Sequence, residues 1–136
     1  MSNNKQSSVE KEFVPYAEAL ALKQLGFDQP CFAYWNADHS LSKPFLTFVK
    51  PFDDEWFIPN PLYSQAFRWF REKYNIEGIT QHAEDRLWYK FHISTYLQYG
   101  KKNIHAGFEY PTYEEAELAC LKKLIEIVKE KNNEQQ

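Results

Sequence analysis

The strongest pattern of apolar and polar positions lies near the end of the chain. Ala116, Cys120, Leu121, Leu124, Ile125, Ile127 and Val128 fall on one wide arc at about 100° per residue, and Glu115, Lys122, Lys123, Glu126, Lys129 and Glu130 fill the other side. Thr112 followed by Glu115 has capping-box spacing, in which hydroxyl and carboxylate each take a backbone N–H at the helix start. The pattern predicts a helix whose broad apolar face must be covered by the rest of the chain. Glu117 falls in the middle of that arc and is therefore expected as a buried polar group.

Two shorter helices are predicted upstream. Residues 15–25 are rich in Ala and Leu and run into Gly26, a residue type that ends helices in the left-handed conformation, with Phe27 placed to pack back. In residues 61–74, Leu62, Tyr63, Ala66, Phe67, Trp69, Phe70 and Tyr74 share a face, and Ser64, Arg68, Arg71 and Glu72 share the opposite one. Asn60 and Pro61 suit the start of this helix and Asn75 its exit.

Elsewhere the period is two. Residues 31–35, 45–49 and 79–84 read as strands, with 56–58 as a brief extended entry to the middle helix. Residues 87–94 alternate: Leu87, Tyr89, Phe91 and Ile93 point one way, and Trp88, Lys90, His92 and Ser94 the other. A loop with Gly100, Lys101, Lys102 and Asn103 leads to a short fifth strand at 106–110. The predicted fold is α+β, an antiparallel sheet of four to five strands with three helices in the order α-β-β-α-β-β-α, helices mainly on one face. Residues 1–12 and 132–136 are polar and read as disordered tails around a single domain at 13–131. The spacing Pro61-x-Tyr63-x-x-Ala66 recurs as Pro111-x-Tyr113-x-x-Ala116, each opening a helix, as duplication or a shared helix-start grammar would produce.

Composition narrows the chemistry. A chain of 136 residues buries roughly two-thirds of its unfolded surface and folds without disulfides or metal. The net charge of −3 argues against non-specific nucleic-acid binding, which runs on phosphate neutralisation. The two cysteines, Cys31 and Cys120, read as reduced thiols, Cys120 as a small hydrophobe on the last helix. No apolar run reaches bilayer length and residues 1–12 lack the apolar region of a signal peptide, so a cytoplasmic location without membrane contact is expected.

No phosphate-cradling glycine loop, Cys-x-x-Cys or His-Glu-x-x-His occurs. His82-Ala83-Glu84 matches half of a zinc deaminase signature, but Cys31 lies upstream and alone, so no metal site and no cofactor is assigned. Asp53, Asp54 and Glu55 lack calcium-loop spacing, and His39 and His105 receive no role. The candidate binding residues are Trp88, Lys90 and His92, an aromatic and basic strip on the sheet face away from the helices. Arg68 and Arg71 add a basic side to the middle helix. The bland alternative treats Lys90, His92 and the two arginines as solvated surface, with Trp88 covered by a loop or a second subunit.

Three stretches carry a resemblance. They are Ala19-Leu20-Ala21-Leu22-Lys23-Gln24-Leu25-Gly26-Phe27-Asp28-Gln29-Pro30-Cys31-Phe32, then Tyr63-Ser64-Gln65-Ala66-Phe67-Arg68-Trp69-Phe70-Arg71-Glu72-Lys73-Tyr74, then Tyr113-Glu114-Glu115-Ala116-Glu117-Leu118-Ala119-Cys120-Leu121-Lys122-Lys123-Leu124-Ile125-Glu126. Together, and in this order, the chain resembles a family of small uncharacterised proteins from phage and prophage regions of Bacteroides-like bacteria. The likeness spans about residues 13–129, with no motif in 37–60 or 77–108, and it brings no catalytic residues. It implies a phage accessory protein acting on a host or phage component inside the bacterial cell.

The expected function is that of a non-catalytic small binding protein with a host or phage protein as partner. A second reading is a nucleic-acid or nucleotide binder that uses Trp88, Lys90 and His92. A third, enzymatic one places Glu117 beside a histidine in a pocket. The aromatic content of 18% also admits a homo-oligomer.

Overall fold

The structure, a computed structural model, describes residues 10–35, 38, 58–85, 87–97 and 100–134. The strand expected at 45–49, the acidic loop at 53–55, residues 56 and 57 of the extended entry, and His39 lie outside the described residues. The chain divides into two compact units, Met1–Ala66 and Phe67–Gln136, and the division falls within one helix.

In the first unit a short 3-10 turn, Glu10–Glu12, precedes α1, Tyr16–Gln24. Helix α1 ends as its sequence predicts. Gly26 takes φ 98°, its N–H bonds to the Lys23 carbonyl at 3.0 Å, and Phe27 N–H bonds to the Leu22 carbonyl at 2.9 Å. Those two bonds satisfy carbonyls that the helix end would otherwise orphan. Phe27 and Leu22, joined by the longer of the two loops, are both buried.

Strands β1, Ala33–Trp35, and β2, Ile58–Asn60, pair antiparallel with Trp35 opposite Ile58 and Ala33 opposite Asn60. The Trp35 ring meets the edge of Tyr16 on α1 at 5.6 Å. Asn60, expected as the cap of the middle helix, sits instead in β2, fully buried, and neither its side-chain nitrogen nor its oxygen has a hydrogen-bond partner. The cap comes from Gln65, whose Oε1 accepts from Leu62 N–H at 3.0 Å while its Nε2 donates to the Pro30 carbonyl at 3.0 Å. Helix α2, Tyr63–Tyr74, opens there.

The second unit takes the rest of α2 and continues through β3, Ile76–His82, β4, Tyr89–Leu97, β5, Gly100–Tyr110, and α3, Tyr113–Glu134. Helix α2 closes on Asn75 at φ 57°, whose N–H reaches the Arg71 carbonyl at 3.2 Å, so the exit read from Asn75 is present. Asn75 also ties into β4, donating from Nδ2 to the Tyr96 carbonyl at 2.6 Å and accepting from Thr95 Oγ1 at 2.9 Å.

The three strands form one antiparallel sheet in the order β3-β4-β5. The α+β class, the three helices and the antiparallel pairing agree with the sequence reading. Among the described residues five strands divide into a two-stranded and a three-stranded sheet, and the order is α-β-β-α-β-β-β-α. Strand β5 begins at Gly100, where a loop was expected, and α3 runs on to Glu134, into the stretch read as a loose end.

Register assigns the faces. Ile76, Gly78, Thr80 and His82 lie opposite Thr95, Ile93, Phe91 and Tyr89, and these residues share the first face; Glu77, Ile79 and Gln81 lie opposite Ser94, His92 and Lys90 on the reverse. Helix α3 buries Ala116, Cys120, Leu121, Leu124, Ile125 and Val128, nearly the whole predicted arc, with Ile127 half-buried at its margin. Its start is capped by Thr112 Oγ1, which accepts from Glu115 N–H at 3.1 Å. The reciprocal half of the box is different, because the Thr112 hydroxyl donates to the Glu115 carboxylate at 3.1 Å.

Two glycines make room on the first face. A Cβ on Gly78 would stand 2.6 Å from Cys120 Sγ and 3.1 Å from Phe67 Cε1, so α3 and α2 both press onto that position. A Cβ on Gly107 would stand 2.2 Å from the Phe91 ring, which is almost fully buried. Replacing Gly107 with Ala should therefore lower stability by about 1–3 kcal/mol, the usual cost of overpacking a filled core. Urea unfolding of the full chain measures it, and a midpoint equal to that of the parent would show that the Phe91 ring is free to move.

Candidate functional site

The reverse face of the three-stranded sheet carries the candidate site. Within the second unit, Phe67 of α2 and Cys120 and Leu124 of α3 all meet Gly78 on the first face. A shallow depression of about 290 Å³ is lined by Phe91 and, mainly from the reverse face, by Gln81, Lys90, His92, Asn103, Ala106 and Phe108. Period two in β3 and β4 brings Gln81, Lys90 and His92 into one neighbourhood, with Gln81 directly opposite Lys90. Strand β5 supplies the rest. Ala106 lies opposite His92 and Asn103 opposite Ser94.

The polar groups here are partly committed. Ser94 is buried, and its hydroxyl donates to Asn103 Oδ1 at 2.8 Å. That bond occupies the amide oxygen and leaves the Asn103 nitrogen as a donor to the depression. The Lys90 side chain is only 19% exposed, and its ammonium stands 3.7 Å from the carboxylate of Glu84, which is 97% exposed. This exceeds the range of an N–H···O hydrogen bond, so Glu84 offsets the charge without satisfying a donor. Phe108, 63% exposed, forms an apolar flank.

Of the residues singled out from the sequence, Lys90 and His92 come together in this depression and the others do not. Trp88 precedes β4, is 39% exposed and is not part of the lining. The alternation expected from residue 87 begins only at Tyr89, since Leu87 and Trp88 precede β4 and the Ala83 N–H bonds to the Trp88 carbonyl at 2.8 Å. Leu87, expected to point with Phe91, is 75% exposed.

Arg68 and Arg71 are exposed on α2, whose Phe67 packs on the other side of the sheet. Glu72 neutralises Arg68 across one turn at 2.8 Å and holds its guanidinium above the ordinary arginine range. Trp69, placed on the apolar face of this helix from the sequence, is buried. Lys73 stands 5.1 Å above its ring.

Glu117 corrects the sequence reading. It is half-buried rather than buried, since a long carboxylate early in α3 keeps contact with water although its backbone lies at the centre of the apolar arc. Nor does it line the depression with His92. Its charge adds to desolvation in pushing the Cys120 thiol up to about 12, and burial alone does the same to Cys31.

Gln81, Asn103, Ala106 and Phe108 were missed from the sequence. Alternation through β3 was the one available signal for Gln81. The three β5 residues carried none, because register shifts break the strand's period.

Among the described residues no group of three or more His, Cys, Asp or Glu side chains is placed to hold a metal ion, and no helix is long and apolar enough to cross a membrane. No family model, no curated protein and no solved structure matches the chain.

Both cysteines are free thiols. With thiol pKa values raised from 9.0 to about 12, their thiolate fractions at pH 8 fall about a thousandfold. Alkylation by iodoacetamide should accordingly be slow in the native chain and complete in urea. The sign for stability follows from the same shift. Unfolded thiols ionise first, so their contribution is intact below about pH 9 and is lost as pH rises toward 12. Native-state alkylation as fast as that in urea would contradict this burial.

Proposed function

We propose that the chain is a non-catalytic binding protein that takes a polypeptide partner on the reverse face of its three-stranded sheet. The observation that carries this reading is a depression edged by hydrogen-bond donors and an exposed Phe108, on the face opposite the two helices. Exposed aromatics beside pockets of fixed polar groups are what protein interfaces use as anchors. Ile104, 42% exposed on the same strand as Phe108, enlarges the apolar area available to a partner.

The nucleotide reading has weaker support. Trp88, the aromatic on which that reading rests, is not in the lining. Among the described lining residues Lys90 is the one lysine or arginine, so a phosphate would meet a single formal cation. The resemblance to proteins of phage regions supplies the rest of the proposal, namely a host or phage protein as partner and the bacterial cytoplasm as the place of action.

Affinity capture with the tagged full chain, from nuclease-treated lysate of its native cell, tests this. The partner retained by the parent should be lost by Phe108→Asp and by His92→Asp, and kept by a control carrying Arg68→Ala and Arg71→Ala. Equal retention by the reverse-face variants, each shown to be folded by circular dichroism, would overturn the assignment of the face.

A further inference from the structure

We infer that the partner presents a carboxylate to Lys90, and that the side chain of Glu84 holds that position until the partner displaces it. The inference rests on the reading of the reverse face as the binding surface and names the chemistry that the face recognises.

The groups around the depression are unbalanced toward donors. Lys90 brings three N–H donors and no acceptor, and the Asn103 amide presents its nitrogen because Ser94 takes its oxygen. The His92 imidazole and the Gln81 amide each bring at least one further N–H. Four of the residues that line the depression, Lys90, His92, Gln81 and Asn103, thus carry N–H groups. Among side-chain acceptors, a carboxylate offers two oxygens and the charge that Lys90 lacks.

The Lys90–Glu84 pair is built to be exchanged. The Lys90 side chain is largely covered, yet at 3.7 Å Glu84 returns no hydrogen bond to its ammonium. Glu84 is 97% exposed and well hydrated, so its release into water costs little. A carboxylate seated in the depression would sit at hydrogen-bond distance, in a less polar setting where the same charge pair interacts more strongly. Phosphate is a poorer fit. It carries close to two charges, and among the described lining residues Lys90 is the one lysine or arginine. Phe108 and Ala106 on the rim suit an apolar residue next to the acidic one.

The test uses the 15N-labelled full chain and two capped dipeptides, acetyl-phenylalanyl-glutamyl-amide and its glutaminyl counterpart, titrated by NMR at low salt. The acidic peptide is expected to shift the amides of Gln81, Lys90, His92, Asn103 and Phe108, and to bind about tenfold more tightly than the amide form. Lys90→Met should abolish that preference, while Glu84→Gln, at an exposed turn position, should tighten acidic-peptide binding by about threefold. Equal affinity for the two peptides, or no shift on the reverse face, would overturn the carboxylate. An unchanged affinity in Glu84→Gln would overturn displacement. Inorganic phosphate that shifts the same amides as strongly would overturn the choice of carboxylate over phosphate. These failures are separable from failure of the binding face, which is read by partner capture with Phe108→Asp and His92→Asp and does not depend on either dipeptide.

Discussion

The absence of a side chain at position 78 sets how near the helices lie to the three-stranded sheet. Sγ of Cys120, a carbon of the Phe67 ring and Cδ1 of Leu124 all converge within about 3.2 Å of where a Cβ would be. That closeness lets the six apolar residues of α3 lie flat against β3 and β4 instead of bridging a gap. Burial of each large side chain among them contributes about 1.5–3 kcal/mol, whereas the cap at Thr112 contributes about 1 kcal/mol. Packing therefore decides where α3 lies and the cap decides where it begins. Gly107 plays the same part for Phe91, whose ring lies over the bare backbone of β5 and within 6 Å of Tyr110.

Apart from Ile79, Ala106 and Phe108, the reverse of the sheet is polar. An antiparallel sheet tolerates this because its second face can remain in water. Polarity there is ordinary, and it does not by itself mark a site. Three further features set the depression apart from a solvated face. Lys90 is mostly covered without a hydrogen bond in return, Asn103 is oriented by a buried serine, and Phe108 stays exposed beside them.

The helices were legible because their signals are local and redundant. Gly26 with Phe27, Asn75, and Thr112 with Glu115 each mark a helix end by a residue type that only a few backbone geometries favour. Strand limits were less legible. Gly78 lowers the apparent strand propensity of β3, yet the sheet continues through it because helix packing requires a residue without a side chain. In β5 the register slips between Asn103 and His105, and again between Gly107 and Tyr110, where Glu109 takes φ 67°. Two such bulges erase the alternation that reveals a strand, so Asn103 and Phe108 gave no sign of sharing a face with Lys90. Asn60 misled for a different reason. Its preference for helix caps is real, but β2 extends through it and Gln65 does the capping.

The turn between β3 and β4 explains why Lys90 meets Glu84 at arm's length. The Ala83 N–H is held by the Trp88 carbonyl, and Asp85 Oδ1 accepts from Leu87 N–H at 3.1 Å, so the backbone on both sides of Glu84 is pinned by bonds that do not involve its carboxylate. Glu84 can turn its side chain without disturbing the turn. Lys90 has less freedom, since its strand pairs with β3 at Gln81 and its side chain is mostly covered by neighbours. A fixed cation facing a movable, hydrated anion is an asymmetric pair, and any second acceptor that approaches competes with the mobile member alone. The geometry of the turn thus makes Lys90 the reading group of the face and Glu84 its replaceable counterion.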